Sequence, residues 1–232
     1  MTKSKKGKLI VVEAGDGSGK ATQTKRLYER LLQDGYKVLK IEYPNYKSES
    51  SALIKMYLNG EFGDKPEDVN AYAASTFYAV DRYASFKKEW KDFYDNGGII
   101  LADRYTTSNM VHQAAKIKDE AEKEKFLNWL WELEFKLMGL PRPDLVVFLD
   151  MPPEYSSKLM TNRKNKFTGD LQKDIHEKNK LYLINSYKNA CYVAGKYNWI
   201  KLKCVCNNKI KSIDEIHEEI YNSVKEKLIY FY

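Results

Sequence analysis

A glycine-rich segment near the N-terminus carries the clearest chemical pattern in the chain. It follows an apolar run and reads Glu13-Ala14-Gly15-Asp16-Gly17-Ser18-Gly19-Lys20-Ala21-Thr22. Glycines let backbone N–H groups close around phosphate oxygens, and a lysine at the start of the next helix adds positive charge. The segment predicts a phosphate-binding loop for ATP, with these contact residues: Ala14, Gly15, Asp16, Gly17, Ser18, Gly19, Lys20, Ala21 and Thr22.

This loop departs twice from the usual pattern, G-x-x-x-x-G-K-[ST]. Ala14 replaces the first glycine, and Ala21 replaces the Ser or Thr whose hydroxyl contacts Mg²⁺. A glycine-rich turn without a ligand is the structural alternative, but strand, Gly19-Lys20 and helix occur in the order that phosphate binding needs. We expect Mg²⁺ to be held through water and by an acidic residue such as Asp103.

Asp103-Arg104-Tyr105 directly follows the apolar run Ile99–Ala102. In open parallel sheets, ligands bind beyond the carboxyl ends of the strands. A carboxylate there can orient Mg²⁺ or a hydroxyl, and an arginine can bind a phosphate. A structural ion pair at a strand end is the alternative, and the nearby phosphate loop favours the functional interpretation.

The elements that must position these residues alternate between strands and helices. The pattern predicts strands at Leu9–Glu13, Tyr36–Tyr43, Ile99–Asp103, Asp144–Asp150 and Trp199–Val205. It predicts helices at Ala21–Gln33, from Pro66 to Gly97, and at Lys123–Met138, Lys173–Tyr197 and Ser212–Leu228. Phe77 and Val80 are assigned to the buried stripe of the second helix. This α/β pattern predicts a three-layer fold of the phosphate-loop NTPase type, with a five-stranded parallel sheet and helices on both faces.

Composition excludes several classes of protein. The chain has 232 residues, of which 43% are hydrophobic and 31% charged, so it is not a disordered chain. Six prolines and twelve glycines exclude collagen-like or linker-like sequence. Three cysteines do not suit a disulfide framework and indicate a reducing compartment. No apolar run approaches the length of a membrane span, and no apolar segment of signal-peptide type follows Met1 to Lys8. We expect a cytoplasmic protein with one domain at 8–232, preceded by a basic tail at 1–7.

The net charge of +7 is concentrated in two places. Lys3, Lys5, Lys6 and Lys8 lie together at the start of the chain without acidic residues. The segment Lys158–Lys180 has seven basic and three acidic residues, while the remaining chain is nearly neutral. This distribution favours nucleotide phosphates as the partner of the second cluster.

The size of the chain suits a small-molecule kinase. Asn165-Lys166-Phe167-Thr168 lacks the final Asp of the Asn-Lys-x-Asp segment by which GTPases recognise guanine, which disfavours that class. The chain is also too short for the large ATPase motors.

Five segments together resemble the thymidylate kinases, which phosphorylate dTMP with ATP. They occur in the family's order over about residues 8–228: Glu13 to Gln23, Tyr43-Pro44, Tyr78 to Arg82, Asp103 to Ser108 and Pro143 to Asp150. The resemblance implies ATP and dTMP as substrates, Mg²⁺ as cofactor, no nucleic-acid partner and a homodimer.

The resemblance also implies roles for individual residues. Asp16 would bind the sugar 3′-hydroxyl of dTMP, and Arg104 its phosphate. Tyr78 would stack on thymine and Arg82 would bind its carbonyl; residues four apart lie on one helix face, which suits this pair. Four further residues would complete the acceptor site: Tyr46, Lys47, Tyr105 and Ser108. Lys47 is the nearest cation where many relatives have a phosphate-binding arginine.

Family members take a catalytic arginine either from the phosphate loop or from a mobile lid. The loop position here is Gly17, so we expect the lid to supply it, at 158–180, with Arg163 favoured over Lys164 and Lys166. A solvated charged helix face is the alternative for this segment. The predicted catalytic set is Lys20, Asp103, Arg104 and Arg163, with Asp103 as metal ligand.

Two other functions are left open by the residues. A deoxynucleoside kinase would need a general base for the 5′-hydroxyl, and Glu42 at the end of the second strand keeps this open. A basic nucleic-acid-binding protein could stack bases on the eighteen tyrosines. The tyrosines are scattered, however, and no recognised nucleic-acid module is present.

Overall fold

A parallel sheet forms the centre of the molecule. The computed structural model describes residues 6–159 and 180–229. Its main strands are Lys8–Ala14 (β1), Val38–Glu42 (β2), Ile99–Asp103 (β3), Leu145–Asp150 (β4) and Ile200–Lys203 (β5). They pair in the order β2-β3-β1-β4-β5, each with its neighbours in parallel. The predicted five-stranded parallel sheet is confirmed.

Helices connect these strands on both faces of the sheet. Nine α-helices lie in the described residues: Lys20–Gln33 (α1), Ala52–Leu58 (α2), Ala71–Ser85 (α3), Lys91–Asp95 (α4), Thr106–His112 (α5), Glu120–Trp131 (α6), Pro153–Leu159 (α7), Lys180–Lys196 (α8) and Ile213–Ile229 (α9). Shorter 3₁₀ turns lie at Glu49–Ser51, Pro66–Asp68 and Ala114–Lys116. Wider π-type turns at Phe86–Trp90 and Glu132–Leu137 extend α3 and α6.

Strand β1 is buried on both faces because its side chains alternate between two cores. Ile10 and Val12 pack with α1 and α9, in a core that includes Leu27 and Ile220. On the other face, Leu9 and Val11 lie in a second core, with the following members from the π-type turn, α4 and β3: Phe86, Trp90, Tyr94 and Ile100. This placement confirms the predicted three-layer arrangement.

The ends of several elements differ from the sequence prediction. The helix predicted from Pro66 begins instead as α3, directly after Asn70, whose side chain accepts a hydrogen bond from the Ala73 N–H at 2.8 Å. Pro66 begins a separate 3₁₀ turn. The last helix begins with a capping box, which agrees with the predicted start at Ser212. The Glu215 N–H donates to Ser212 Oγ at 3.1 Å, and the Ser212 N–H donates to the Glu215 carboxylate at 2.7 Å.

The short helices α2, α5 and α7 and a small hairpin after β5 were absent from the prediction. The hairpin pairs Val205–Cys206 (β6) with Lys209–Ile210 (β7) in antiparallel. Its turn residues Asn207 and Asn208 both have positive φ, as a tight two-residue hairpin turn requires. In the sequence, the Asn-Asn pair was the indication of this hairpin turn.

The predicted apolar stripe of α3 is wrong at Val80, which is 49% exposed. Phe77 is partly buried against the core around Ile54. The buried face of α3 contains polar residues instead, including Asp81 and Arg82. A hydrophobic periodicity cannot locate a helix face that is buried through ion pairs and hydrogen bonds.

Within the described residues, no helix combines the length and apolar character needed to cross a bilayer.

Helix α1 offers a matched test of this packing. Leu27 is fully buried, whereas Leu32 on the same helix is 43% exposed. We expect Leu27→Ala to lower the free energy of unfolding by about 2–5 kcal/mol because it leaves a cavity. Leu32→Ala should cost less than about 1 kcal/mol. Urea unfolding of both variants measures this difference, and equal losses would contradict the assigned packing.

Candidate active site

The phosphate loop joins β1 to α1. Gly17 and Gly19 have φ angles of 74° and 78°, a region that residues with a side chain rarely adopt. Lys20 is the first residue of the 14-residue α1, so the backbone N–H groups at the positive end of that helix face the loop. A cavity of about 680 Å³ lies against the loop from Gly15 to Gln23. The local structure is that of an anion-binding turn.

Lys20 and Asp103 form an ion pair that is almost completely buried. The pair forms because β1 lies beside β3, with Val12 opposite Asp103. Lys20 reaches Asp103 from the start of α1. The loop lysine is thus held beside the predicted metal ligand, at the carboxyl edge of the sheet.

Arg104 follows Asp103 and has a φ of 69°, uncommon for a residue with a side chain. Its Nη2 donates to Asp16 Oδ1 at 2.5 Å, and its Nη1 lies 3.3 Å from Glu13 Oε1. Burial by itself lowers the pKa of the Arg104 guanidinium, but the carboxylates of Asp16 and Glu13 outweigh burial and raise it above its ordinary value. The site therefore holds a permanent cation between two carboxylates.

His112 lies beside the same guanidinium, with Nε2 at 3.0 Å from Arg104 Nη1. A guanidinium can only donate, so this nitrogen of the ring accepts. Burial lowers the pKa of His112 to about 4, and the charge of Arg104 acts in the same direction. At neutral pH the imidazole is uncharged and contributes an acceptor to the arginine.

A second, smaller cavity of about 90 Å³ adjoins the large one. Both are lined by Asp16, Tyr43, Pro44, Tyr46 and Arg104, which form a shared wall. The small cavity is otherwise lined mainly by residues of α3 and α5, and the large one by the phosphate loop, the β6–β7 hairpin and the start of α9. Two ligands in these cavities would meet at Asp16 and Arg104.

Most of the predicted acceptor residues line the small cavity: Asp16, Tyr46, Tyr78, Arg82, Arg104, Tyr105 and Ser108. Lys47 is exposed and does not line either cavity. The predicted ATP contacts from Gly15 to Thr22 line the large cavity. Ala14 is buried, and its N–H donates to Glu13 Oε1 at 3.0 Å.

Arg82 lines the small cavity, and its guanidinium is bound by Glu134. Its Nε and Nη2 donate to Glu134 at 2.7 and 2.5 Å, and Nη1 lies 3.4 Å from the Tyr105 carbonyl. Glu134 also accepts from Thr106 at 2.7 Å. The bidentate pair fixes Arg82 in one orientation in the wall of the small cavity, where its side chain is almost completely buried.

The predicted lid lies mostly outside the described residues. Arg163, Lys164 and Lys166 belong to residues 160–179, which the structure does not describe. Lys158 and Leu159, at the end of α7, are exposed, and Leu159 lines the large cavity.

Sequence reasoning missed three groups that the structure brings to the site: Glu13, Glu134 and His112. His112 follows Ser108 by four residues on α5, a spacing that places both on one helix face with Arg104 just before it. Glu13 directly precedes the loop. No local pattern connects Glu134 with Arg82, 52 residues earlier. In the described parts of the chain, no group of three or more His, Cys, Asp or Glu side chains forms a ready metal site.

Comparison with known proteins decides the family. A model of the thymidylate kinase family matches residues 12–220. The chain belongs to the thymidylate kinase family.

Individual relatives agree with this assignment. A probable thymidylate kinase from Pyrococcus horikoshii is 30% identical over 224 residues, covering 97% of this chain and 98% of the relative. The thymidylate kinase of Plasmodium falciparum is 27% identical, with 95% and 90% covered. A solved thymidylate kinase from Candida albicans has the same fold, with a TM-score of 0.68 at 22% identity and coverage of 96% of this chain and 92% of that one. As a member of the family, this chain is a phosphotransferase of the nucleoside monophosphate kinase type.

His112 predicts a measurable pH dependence of stability. In the unfolded chain its pKa is about 6.5, so acid protonates the unfolded state before the folded one. Stability contributed by the neutral ring is therefore lost as the pH falls from 6.5 toward 4. Between pH 7.5 and 5 we expect this single group to cost about 2 kcal/mol.

His112→Gln keeps an acceptor but removes the titration. Urea unfolding at both pH values should show a smaller acid loss in the variant than in the wild type. Equal losses in both proteins would contradict the buried neutral state of His112.

Proposed function

We propose that this protein transfers the γ-phosphoryl group of ATP to the 5′-phosphate of dTMP, producing dTDP and ADP with Mg²⁺ as cofactor. The observation that carries the proposal is the pair of adjoining cavities: one contains a phosphate loop, and both share Asp16 and Arg104. Donor and acceptor phosphates placed in them would face each other. The family assignment supports the same reaction.

The large cavity, where ATP would bind, has the groups that bind a polyphosphate. The loop N–H groups and the N-terminus of α1 attract negative charge, and Lys20 adds a positive charge. In the described structure Lys20 is paired with Asp103. We expect it to turn toward the β- and γ-phosphates when ATP binds, because a polyphosphate carries more negative charge than one carboxylate.

The acceptor site needs positive charge and a fitting shape, but no general base. The phosphate of a nucleoside monophosphate is already ionised, so catalysis depends on positioning and neutralisation of charge. Arg104 would bind this phosphate and Asp16 the 3′-hydroxyl. Tyr78 and Arg82 line the small cavity and would contact the base, together with Tyr46, Tyr105 and Ser108.

The carboxyl edge of the sheet also suits Mg²⁺. This ion prefers oxygen ligands and is often held by one or two carboxylates together with nucleotide phosphates. Asp103 forms an ion pair with Lys20. Glu42 lies opposite Asp103 on the neighbouring strand β2 and lines the large cavity. These carboxylates would hold the ion, which when bound neutralises charge on the transferring phosphates.

Other features of the proposal derive from the sequence. Residues 8–232 act as one catalytic domain after the tail at 1–7, and 158–180 acts as a lid that brings Arg163 to the transferring phosphate. We further propose a cytoplasmic homodimer without a nucleic-acid partner.

A panel of acceptors tests the reaction. Purified protein with ATP and Mg²⁺ should phosphorylate dTMP and leave thymidine unreacted, and excess EDTA should abolish turnover. The rate of dUMP phosphorylation relative to that of dTMP measures how strongly the enzyme discriminates between the two bases. Preferential phosphorylation of thymidine would instead identify a deoxynucleoside kinase with Glu42 as general base.

Lys20 provides a direct test of the donor site. Lys20→Met should lower kcat by roughly 10²–10³-fold or more, because the transferring phosphoryl group loses the cation that neutralises its charge. Lys25→Met is the matched control, since Lys25 lies on the same helix and its side chain is 68% exposed. Steady-state kinetics and thermal unfolding of both variants separate chemistry from folding. Near-normal turnover in folded Lys20→Met protein would refute this role of the lysine.

A further inference from the structure

The carboxylate of Glu13 is buried at the end of β1 and is surrounded by donors. Oε1 accepts from the Ala14 N–H at 3.0 Å and lies 3.3 Å from Arg104 Nη1. Oε2 accepts from the hydroxyls of Thr107 and Ser108 at 2.8 and 2.7 Å. Each oxygen thus has two donors, and the side chain has no exposed area. Such a carboxylate has a single orientation.

Arg104 is shared between this carboxylate and Asp16, and the two differ in exposure. The Glu13 side chain is fully buried, while that of Asp16 is 24% exposed in the wall between the two cavities. A ligand can reach Asp16 and its partner Nη2, but not Glu13. Glu13 is therefore the permanent partner of the guanidinium, and Asp16 the one at which a phosphate can compete.

The same carboxylate connects the segments that carry Arg104. The Arg104 N–H donates to the Val12 carbonyl at 3.2 Å, so the chain turns out of the sheet beside β1. Thr107 and Ser108 lie in the first turns of α5, just beyond that turn. By accepting from both hydroxyls, Glu13 holds the start of α5 and the arginine side chain against the end of β1.

We propose that Glu13 is a positioning residue: its buried carboxylate holds the Nη1 edge of Arg104 so that the Nη2 edge faces the phosphate of the nucleoside monophosphate. This inference rests on the proposed function, in which Arg104 binds that phosphate. It adds a residue that does not itself touch the substrate. Without the charge of Glu13, Asp16 is the one carboxylate among the described residues that contacts Arg104. The guanidinium then pairs more strongly with Asp16, and the incoming phosphate displaces that carboxylate less readily.

Glu13→Gln is the appropriate variant. It keeps the shape of the side chain, and the hydroxyls of Thr107 and Ser108 can reverse to accept from the new amide. Steady-state kinetics should show the KM for dTMP raised about tenfold or more, because a charge-assisted contact to Arg104 is lost. The KM for ATP should change less than about twofold, since the donor loop keeps its contacts.

A double-mutant cycle with Arg104→Ala tests whether Glu13 affects dTMP binding through Arg104. If Glu13 acts through the arginine, Glu13→Gln should change dTMP binding less than about twofold in the Arg104→Ala background. Glu218→Gln, which removes an exposed carboxylate paired with Arg30, is the control and should leave both KM values unchanged. Equilibrium binding of dTMP replaces kinetics where turnover is too slow.

Several results would overturn the inference. It is wrong if Glu13→Gln leaves the KM for dTMP unchanged, raises both KM values equally, or has its full effect without Arg104. Should Glu13→Gln not fold, Thr107→Val removes one donor to the same carboxylate and should raise the KM for dTMP alone, by a smaller factor; no change there refutes the role. If the wild type accepts another monophosphate instead of dTMP, the substrate assignment fails and the same measurements are made with that acceptor. If it accepts none, both proposals fail.

Discussion

The parallel pairing of β1 with β3, in which Val12 lies opposite Asp103, brings the two charged turns of the site together. The phosphate loop leaves β1 at the same edge where Arg104 leaves β3. Lys20 can therefore reach Asp103, and Arg104 can reach both Glu13 and Asp16. A shift of one residue in this register would exchange the side chains between the two faces of the sheet.

The ion pairs at this edge also determine how the site meets anionic ligands. An isolated buried charge is very unfavourable, so each cation in the described site has a carboxylate partner. A phosphate that binds there competes with a carboxylate for Lys20 or Arg104. Such competition favours ligands with several negative charges over singly charged anions.

Helix α3 shows why a helix face cannot always be read from apolar periodicity. Its buried side includes Asp81 and Arg82, while Val80 faces outward. Asp81 accepts from the Asn45 N–H at 2.8 Å and from Ser50 Oγ at 2.6 Å, which anchors the segment after Pro44 that carries Tyr46. Arg82 pairs with Glu134. These polar contacts replace apolar packing and fix the wall of the small cavity.

The sequence alone determined the elements and the type of chemistry. Alternating apolar runs specified the sheet, Ser212 and Glu215 specified the start of the last helix, and Gly17, Gly19 and Lys20 specified an anion-binding loop. These features are local, because turns, caps and side-chain alternation depend on neighbouring residues. Only the tertiary structure decided that Glu13 holds Arg104, that Glu134 holds Arg82, and that the two cavities share a wall. Those contacts join residues 52 to 91 positions apart, and their geometry exists only once the strands and helices have packed.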